Sequence, residues 1–279
     1  MGDIAVSKSY QGWSLNDREP AAIASLLPFY DWAYHHYFRV QTSGWEQVTP
    51  DQPALFVGSH NGGLAAPDMH MFIYDWYRRF GYDHPAYGLM HPNMWTALPP
   101  VAEMAAKLGA VRAHPKMAIA ALRQGASVLV YPGGTRDVFR PANLSDRIHF
   151  REHKGFIKLA LRQKVPIVPL ISWGAHATLM VLADCYEQAQ QLHRWGMPWL
   201  FGVDPAAFPI YLGWPWGLAL GPAPNIPWPV QIHTRVCAPI WFEAYGREVL
   251  TDAGYIDACY QQVVAAMQGE LDKLATACR

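Results

Sequence analysis

Two short runs in this chain hold residues able to do chemistry. The first is Gly58-Ser59-His60-Asn61-Gly62-Gly63-Leu64-Ala65-Ala66-Pro67-Asp68. An imidazole can take a proton near neutral pH, and a carboxylate on its other ring nitrogen fixes the tautomer and steadies the imidazolium. Asp68, near the start of the next helix, is placed to fold back on His60 in that role. Gly62 and Gly63 allow backbone N–H groups to approach a ligand closely. The second run is Val130-Tyr131-Pro132-Gly133-Gly134-Thr135-Arg136-Asp137. Here a guanidinium stands beside a glycine turn, where it can bind a phosphate or a carbonyl oxyanion, with help from the turn amides.

Such runs need strand ends to present them. Ala54 to Ser59 and Ser127 to Tyr131 read as short buried strands, each followed by its glycine turn. Further strands are expected at Ala86 to Met90, Ile167 to Ser172 and Gln231 to Val236. Helices are expected at Pro20 to Val40 (bent at Pro28), from Pro67, at Asn93 to Leu108, Pro115 to Gln124, Gly155 to Gln163 and Asp252 to Ala277. Gln41 to Pro53 reads as a polar turn, and Val165 to Ala183 as a strand followed by a helix. Alternation of strands and helices predicts an α/β fold: a largely parallel mixed sheet flanked by helices, with an N-terminal helical addition. Residues 1–50 are set apart as that helical segment, possible membrane contact included, and 51–279 as the α/β domain. Ligands of such folds bind where strands end, the place of both glycine turns.

Composition narrows the field. Lys+Arg 22 balance Asp+Glu 22 over 279 residues, so no general pull towards nucleic acid is expected. Charged residues are 16%, against roughly 25% in an ordinary soluble domain, and there are 12 Trp. Clustered Trp and Tyr suit a membrane interface. Cys185, Cys237, Cys259 and Cys278 are too scattered for a zinc site or disulfide framework. No metal site is expected; His149 and His153 have helical spacing, but no third ligand is evident and they read as solvated helix residues. Residues 1–17 lack the blocks of a signal peptide, and Val6 breaks a myristoylation pattern. No stretch reads as a transmembrane helix, since prolines interrupt both apolar candidates, Val165 to Ala183 and Pro205 to Val230. Peripheral contact is expected instead, through the aromatic helix Leu26 to Tyr37 or through Trp214, Trp216 and Trp228. Neither a P-loop, a G-x-G-x-x-G nor a G-x-S-x-G elbow occurs.

Taken together and in order, four stretches resemble the blocks of the glycerolipid acyltransferase superfamily, a PlsC-type fold that includes lysophosphatidic-acid and diacylglycerol-type acyltransferases. They are His60 with Asp68, Leu108 to Arg112, Tyr131 to Asp137, and Val165 to Pro169. The resemblance covers about residues 54 to 172. Seven residues separate His60 from Asp68 where the commoner pattern has four, and Gly133 stands where many members have Glu. The longer spacing with its Gly-Gly pair is similar to bacterial members of the superfamily, and Gly133 in place of Glu makes that block resemble the neutral-lipid branch.

The resemblance implies O-acyl transfer from an acyl thioester, acyl-CoA or acyl carrier protein, to a hydroxyl acceptor, in phospholipid or neutral lipid biosynthesis. It implies His60 as general base and Asp68 as its partner. Gly62, Gly63, Arg112, Gly133, Gly134, Thr135, Arg136 and Lys154 are the implied substrate-binding residues, with Lys116 and Lys158 as further cations for donor phosphates. No cofactor beyond the thioester co-substrate is implied. The expected location is cytoplasmic and peripheral at the membrane. A thioesterase using water, or a non-catalytic lipid-binding protein of the same fold, are the alternatives.

Overall fold

A computed structural model describes residues 9–199 and 204–278. The reading of residues 1–17 as lacking a leader, and of Val6 as breaking an acylation pattern, therefore falls in part on residues 1–8, outside the described residues.

Ten strands are described: β1 (Gln41–Ser43), β2 (Leu55–Gly58), β3 (Ala86–Met90), β4 (Ala110–Arg112), β5 (Ser127–Val130), β6 (Ile167–Trp173), β7 (Met180–Asp184), β8 (Pro209–Gly213), β9 (Gly217–Leu220) and β10 (His233–Val236). The α-helices are α1 (Pro20–Trp32), α2 (Pro67–Phe80), α3 (Met94–Ala97), α4 (Pro99–Lys107), α5 (Pro115–Arg123), α6 (Gly134–Val138), α7 (Gly155–Gln163), α8 (Tyr186–Arg194) and α9 (Ala253–Cys278). Seven strands form one sheet in the order β1-β10-β6-β2-β5-β3-β4. Five of them, β6 to β4 in that order, run parallel, whereas β10 is antiparallel to β6.

The main sheet is covered on both faces, as a parallel sheet must be. Leu55 and Val57 of β2 point into one core layer, with Val128, α5, α7 and the buried stripe Ile256, Tyr260, Val263, Met267, Leu271 and Leu274 of α9. Phe56 points the other way, into a layer with Leu129, Val168, Trp45 and Phe72 and Trp76 of α2. The change of face at successive residues is the period-two geometry of a strand. Pro67 opens α2, with Asp68 in its first turn; proline tolerates that position and an acidic residue there suits the helix dipole.

Several expectations need correction. Gln41–Ser43 lies in the polar stretch read as a turn, yet it pairs in parallel with β10 at the sheet edge. Three polar residues at a sheet edge leave no apolar alternation to read. The single helix expected at Asn93 to Leu108 is two, broken at Leu98, which leaves the helical region before Pro99 (φ −137°, ψ 77°); a residue preceding proline is pushed out of the helical region. The helix from Pro20 runs through Pro28 and passes into a wider π-type turn, Ala33–Tyr37. No helix carries His149 and His153: Arg151 and Glu152 between them have φ of 51° and 59°.

The strand-then-helix reading of Val165 to Ala183 also fails at its second half. After β6 comes a short 3-10 turn, Ala175–Thr178, and then β7, which belongs with β8 and β9 to a second, antiparallel sheet. Val181 and Tyr211 point inward against Val138, Phe139 and Leu179. Met180, Leu182, Leu212, Leu218 and Leu220 point outward and are exposed. Both faces of this sheet are apolar, so its residues do not alternate in polarity and period two cannot be seen in the sequence.

Candidate functional site

β2 and β5 are neighbours in register, Leu55 to Val57 against Val128 to Val130. They therefore release their two glycine runs at one edge of the sheet. His60 leaves β2 two residues past its end, and α2 brings Asp68 back to it. His60 Nδ1 lies 3.4 Å from both Asp68 carboxylate oxygens. The imidazole is 16% exposed and the carboxylate 2%. Nδ1 thus faces a buried acid. Ser59, Asp68, Tyr131, Leu170, Ser172 and Thr234 line one small space around that acid.

The loop that carries His60 is held from below by groups that sequence reading did not select. The Asp137 carboxylate accepts the His60 backbone N–H at 2.6 Å and the Ser59 hydroxyl at 3.1 Å. Arg140 forms a buried ion pair with Asp137 and donates to Asn61 Oδ1 at 2.9 Å. Burial pushes the Asp137 carboxyl up from its ordinary range, while Arg140 and the His60 N–H oppose that rise. Asp137 and Arg140 stand three residues apart, the spacing of an intrahelical ion pair, which was the available signal. Their burial was not legible. Tyr131 stacks on the His60 imidazole, with centroids 4.2 Å apart and planes at 23°.

Of the implied binding residues, some converge on the dyad. Gly62 and Gly63 have φ of 83° and 69°, which only glycine adopts easily. A Cβ on Gly62 would stand 2.5 Å from Thr178 Oγ1, and one on Gly63 2.5 Å from Asn225 Oδ1. The second sheet and its connections therefore press the turn into place. A Cβ on Gly133 would meet the Asp137 side chain at 2.4 Å, while Gly134 faces open space at φ 59°. The Gly134 amide closes its own turn on the Tyr131 carbonyl. Thr135 lies half-buried in α6 beside them.

The cations are engaged elsewhere. Arg136 stacks over Tyr186 at 4.4 Å and donates to the Ala206 carbonyl. Arg112 lies over Trp13 and donates to the Gln11 carbonyl. Lys154 pairs with Asp257 at 2.7 Å and Glu152 at 3.1 Å. The His153 ring Nδ1 meets the Pro132 carbonyl at 2.9 Å.

Two histidines flank the centre, His176 buried and His70 half-buried. His70, on α2, has its pKa pushed down to about 4 by burial, with His60 adding to the fall and Asp68 opposing it. His176 is likewise lowered to about 4, by burial first and Arg140 second.

Residues 39–173 match the family model described as Acyltransferase. An uncharacterized protein of Mycobacterium tuberculosis is 29% identical over 222 residues, covering 78% of this chain and 56% of that protein. One of Mycobacterium leprae is 27% identical over 256 residues, covering 90% of this chain and 64% of that one. The chain thus spans less than two thirds of the length of these relatives. Among solved structures, the 1-acyl-sn-glycerophosphate (LPA) acyltransferase PlsC from Thermotoga maritima superposes with a TM-score of 0.52 at 17% identity, over 91% of this chain and 79% of that one. With the His60–Asp68 pair lying at the strand ends beside the matched segment's other glycine turn, just under half of the chain is similar to the Acyltransferase family, and the whole has a PlsC-type fold.

Proposed function

We propose that the protein moves an acyl group from an acyl thioester, acyl-CoA or acyl carrier protein, onto the hydroxyl of a lipid acceptor. The observation that carries this reading is the His60–Asp68 pair, with its acid buried and its Nε2 left for a substrate. Nε2 takes the acceptor's hydroxyl proton as the oxygen attacks the thioester carbonyl. The C–O bond forms, the carbonyl becomes an oxyanion, and Asp68 balances the imidazolium. Amides of the Gly62-Gly63 turn serve the oxyanion, a contribution of roughly 3–4 kcal/mol per donor in well-studied enzymes. Collapse of the intermediate breaks the C–S bond, and the thiolate leaves with the proton held by His60. The named acceptor of the Thermotoga neighbour, a 1-acyl glycerophosphate, is the first to try. Mass spectrometry of products from acyl-CoA and acyl carrier protein, each with lysophosphatidate, diacylglycerol or water alone, tests the proposal. An ester product supports it; free fatty acid in every mixture replaces it with a hydrolase.

The second sheet supports a bilayer as the place of work. β8, β9 and the turn between them carry no charged residue. Leu218 and Leu220 are 69% and 63% exposed, with Trp214 and Trp216 exposed at the turn and Met180, Leu182 and Leu212 beside them. An uncharged apolar face of this kind calls for an apolar partner, and Trp prefers the headgroup level. Phe29 and Trp32 of α1 form a second exposed pair, whereas Tyr34 is buried and Trp228 half-buried. No helix among the described residues is long and apolar enough to cross a membrane. Attachment is then peripheral, apolar and resistant to salt. Flotation with phosphatidylcholine vesicles at low and high salt checks it, and a wild-type protein that stays with the soluble fraction overturns it.

A further inference from the structure

We propose that Tyr131 is a positioning residue for His60: its ring holds the plane of the imidazole and stabilises the imidazolium formed when His60 takes a proton. The inference rests on the general-base reading of His60 and adds a second source of charge stabilisation to it.

The geometry is a close, nearly parallel stack, 4.2 Å between centroids and 23° between planes. The face of an aromatic ring is negative, so a cation lying against it is attracted. The backbone is arranged to allow the stack. Val57 and Val130 are register partners on parallel strands, so Gly58 and Tyr131 emerge side by side. A Cβ at Gly58 would stand 2.4 Å from Tyr131 Cε1. Glycine there lets the ring lie across the end of β2 and reach the imidazole. The hydroxyl is not what anchors the ring, because it is buried with no hydrogen-bond partner among the described residues. A buried hydroxyl without a partner is unfavourable, so the ring's position is held by its face and edges.

When the acceptor O–H bond breaks, its proton goes to Nε2 and a positive charge appears against the Tyr131 face. That charge is lost when the proton passes to the leaving thiolate. Asp68 acts on the imidazolium from the Nδ1 side and Tyr131 from above the ring. His70 on α2, Asp137 beneath the His60 N–H and Arg140 beyond it are the other charged or titratable groups around His60. All of these persist in Tyr131 variants, so they do not confound a comparison among them.

The test is an NMR titration of the His60 Cε1 proton in the full chain, beside the pH profile of kcat/KM. Wild type is compared with Tyr131→Phe, Tyr131→Leu and protein carrying pentafluorophenylalanine at 131. The fluorinated ring keeps the packing and reverses the charge of its face. Tyr131→Phe should leave the titration midpoint of His60 in place. Leucine and the fluorinated ring should lower it by about half a unit to one unit, and move the acid limb of kcat/KM with it. A midpoint unmoved by the fluorinated ring overturns the proposal, even if leucine prevents folding. A midpoint that falls as expected, while His60→Ala still turns over substrate, upholds the stack and removes the general-base reading instead.

Discussion

The two sheets bury apolar surface in opposite ways. The seven-stranded sheet hides both faces, and β2 shows no exposed residue along its whole length. The three-stranded sheet hides one face on Phe139 and Leu179 and leaves the other bare. In the first sheet apolar residues stabilise the fold and fix two strand ends, hence His60 and Tyr131. In the second they add little to stability where they stand exposed. The comparison also accounts for the composition. The shortage of charge and surplus of Trp come partly from a real core and partly from an uncovered face.

The sharpest way to break this division is at the dyad. His60→Ala should reduce acyl transfer by about 10²–10⁴-fold while the protein still folds, its melting temperature lowered by loss of the Tyr131 stack and of the Asp68 partner. Asp68→Asn should cost less, about 10–100-fold, since it removes the orienting charge but not the base. Steady-state kinetics beside thermal melts check both, and an active, folded His60→Ala protein would end the general-base proposal.

Next come paired deletions in the two sheets. Phe56 is 1% exposed and packs on Phe72 and Trp76. Phe56→Ala should destabilise by about 3–5 kcal/mol. Leu218→Ser with Leu220→Ser should change stability by about 0.5 kcal/mol or less, yet weaken vesicle binding severalfold. Urea melts and flotation on the same samples measure both. A large stability loss in the leucine pair would show that this face is covered in the folded protein.

Acid should reveal the two histidines of lowered pKa. His70 and His176 have folded pKa values near 4, below the unfolded value of 6.5. Between those limits the unfolded chain binds more protons, so stability rises with pH. What they contribute is present above about pH 6.5 and lost as pH falls towards 4, on the order of 2–3 kcal/mol for each. Urea melts at pH 7 and pH 4.5 should show that loss, and His176→Asn should reduce it. An equal acid loss in the variant would assign it to other groups.

The smallest effect expected is at Arg136. Its guanidinium is occupied by Tyr186 and the Ala206 carbonyl. Arg136→Ala should remove about 0.5–1 kcal/mol of stability and raise one substrate's KM by a few fold. Unchanged KM values for donor and acceptor would leave it a purely structural cation.

Sequence alone determined the parts of this molecule that depend on local pattern. Buried apolar runs closed by Gly-Gly turns placed β2, β5 and their loops. Pro67 and the acidic residue after it located the start of α2, and with it the partner of His60. What failed was whatever depends on faces or on backbone pairing. The polar edge strand Gln41–Ser43 has no apolar period, and β7 to β9 have apolar residues on both sides, so neither could be read as a strand. The cations were chosen for their charge, but Lys154 and Arg112 found partners outside the dyad once the chain closed. Asp137, Arg140 and the Tyr131 stack are tertiary facts of the same kind. They unite residues tens of positions apart through burial and strand register, and no local spacing encodes which side chain will be enclosed beside which.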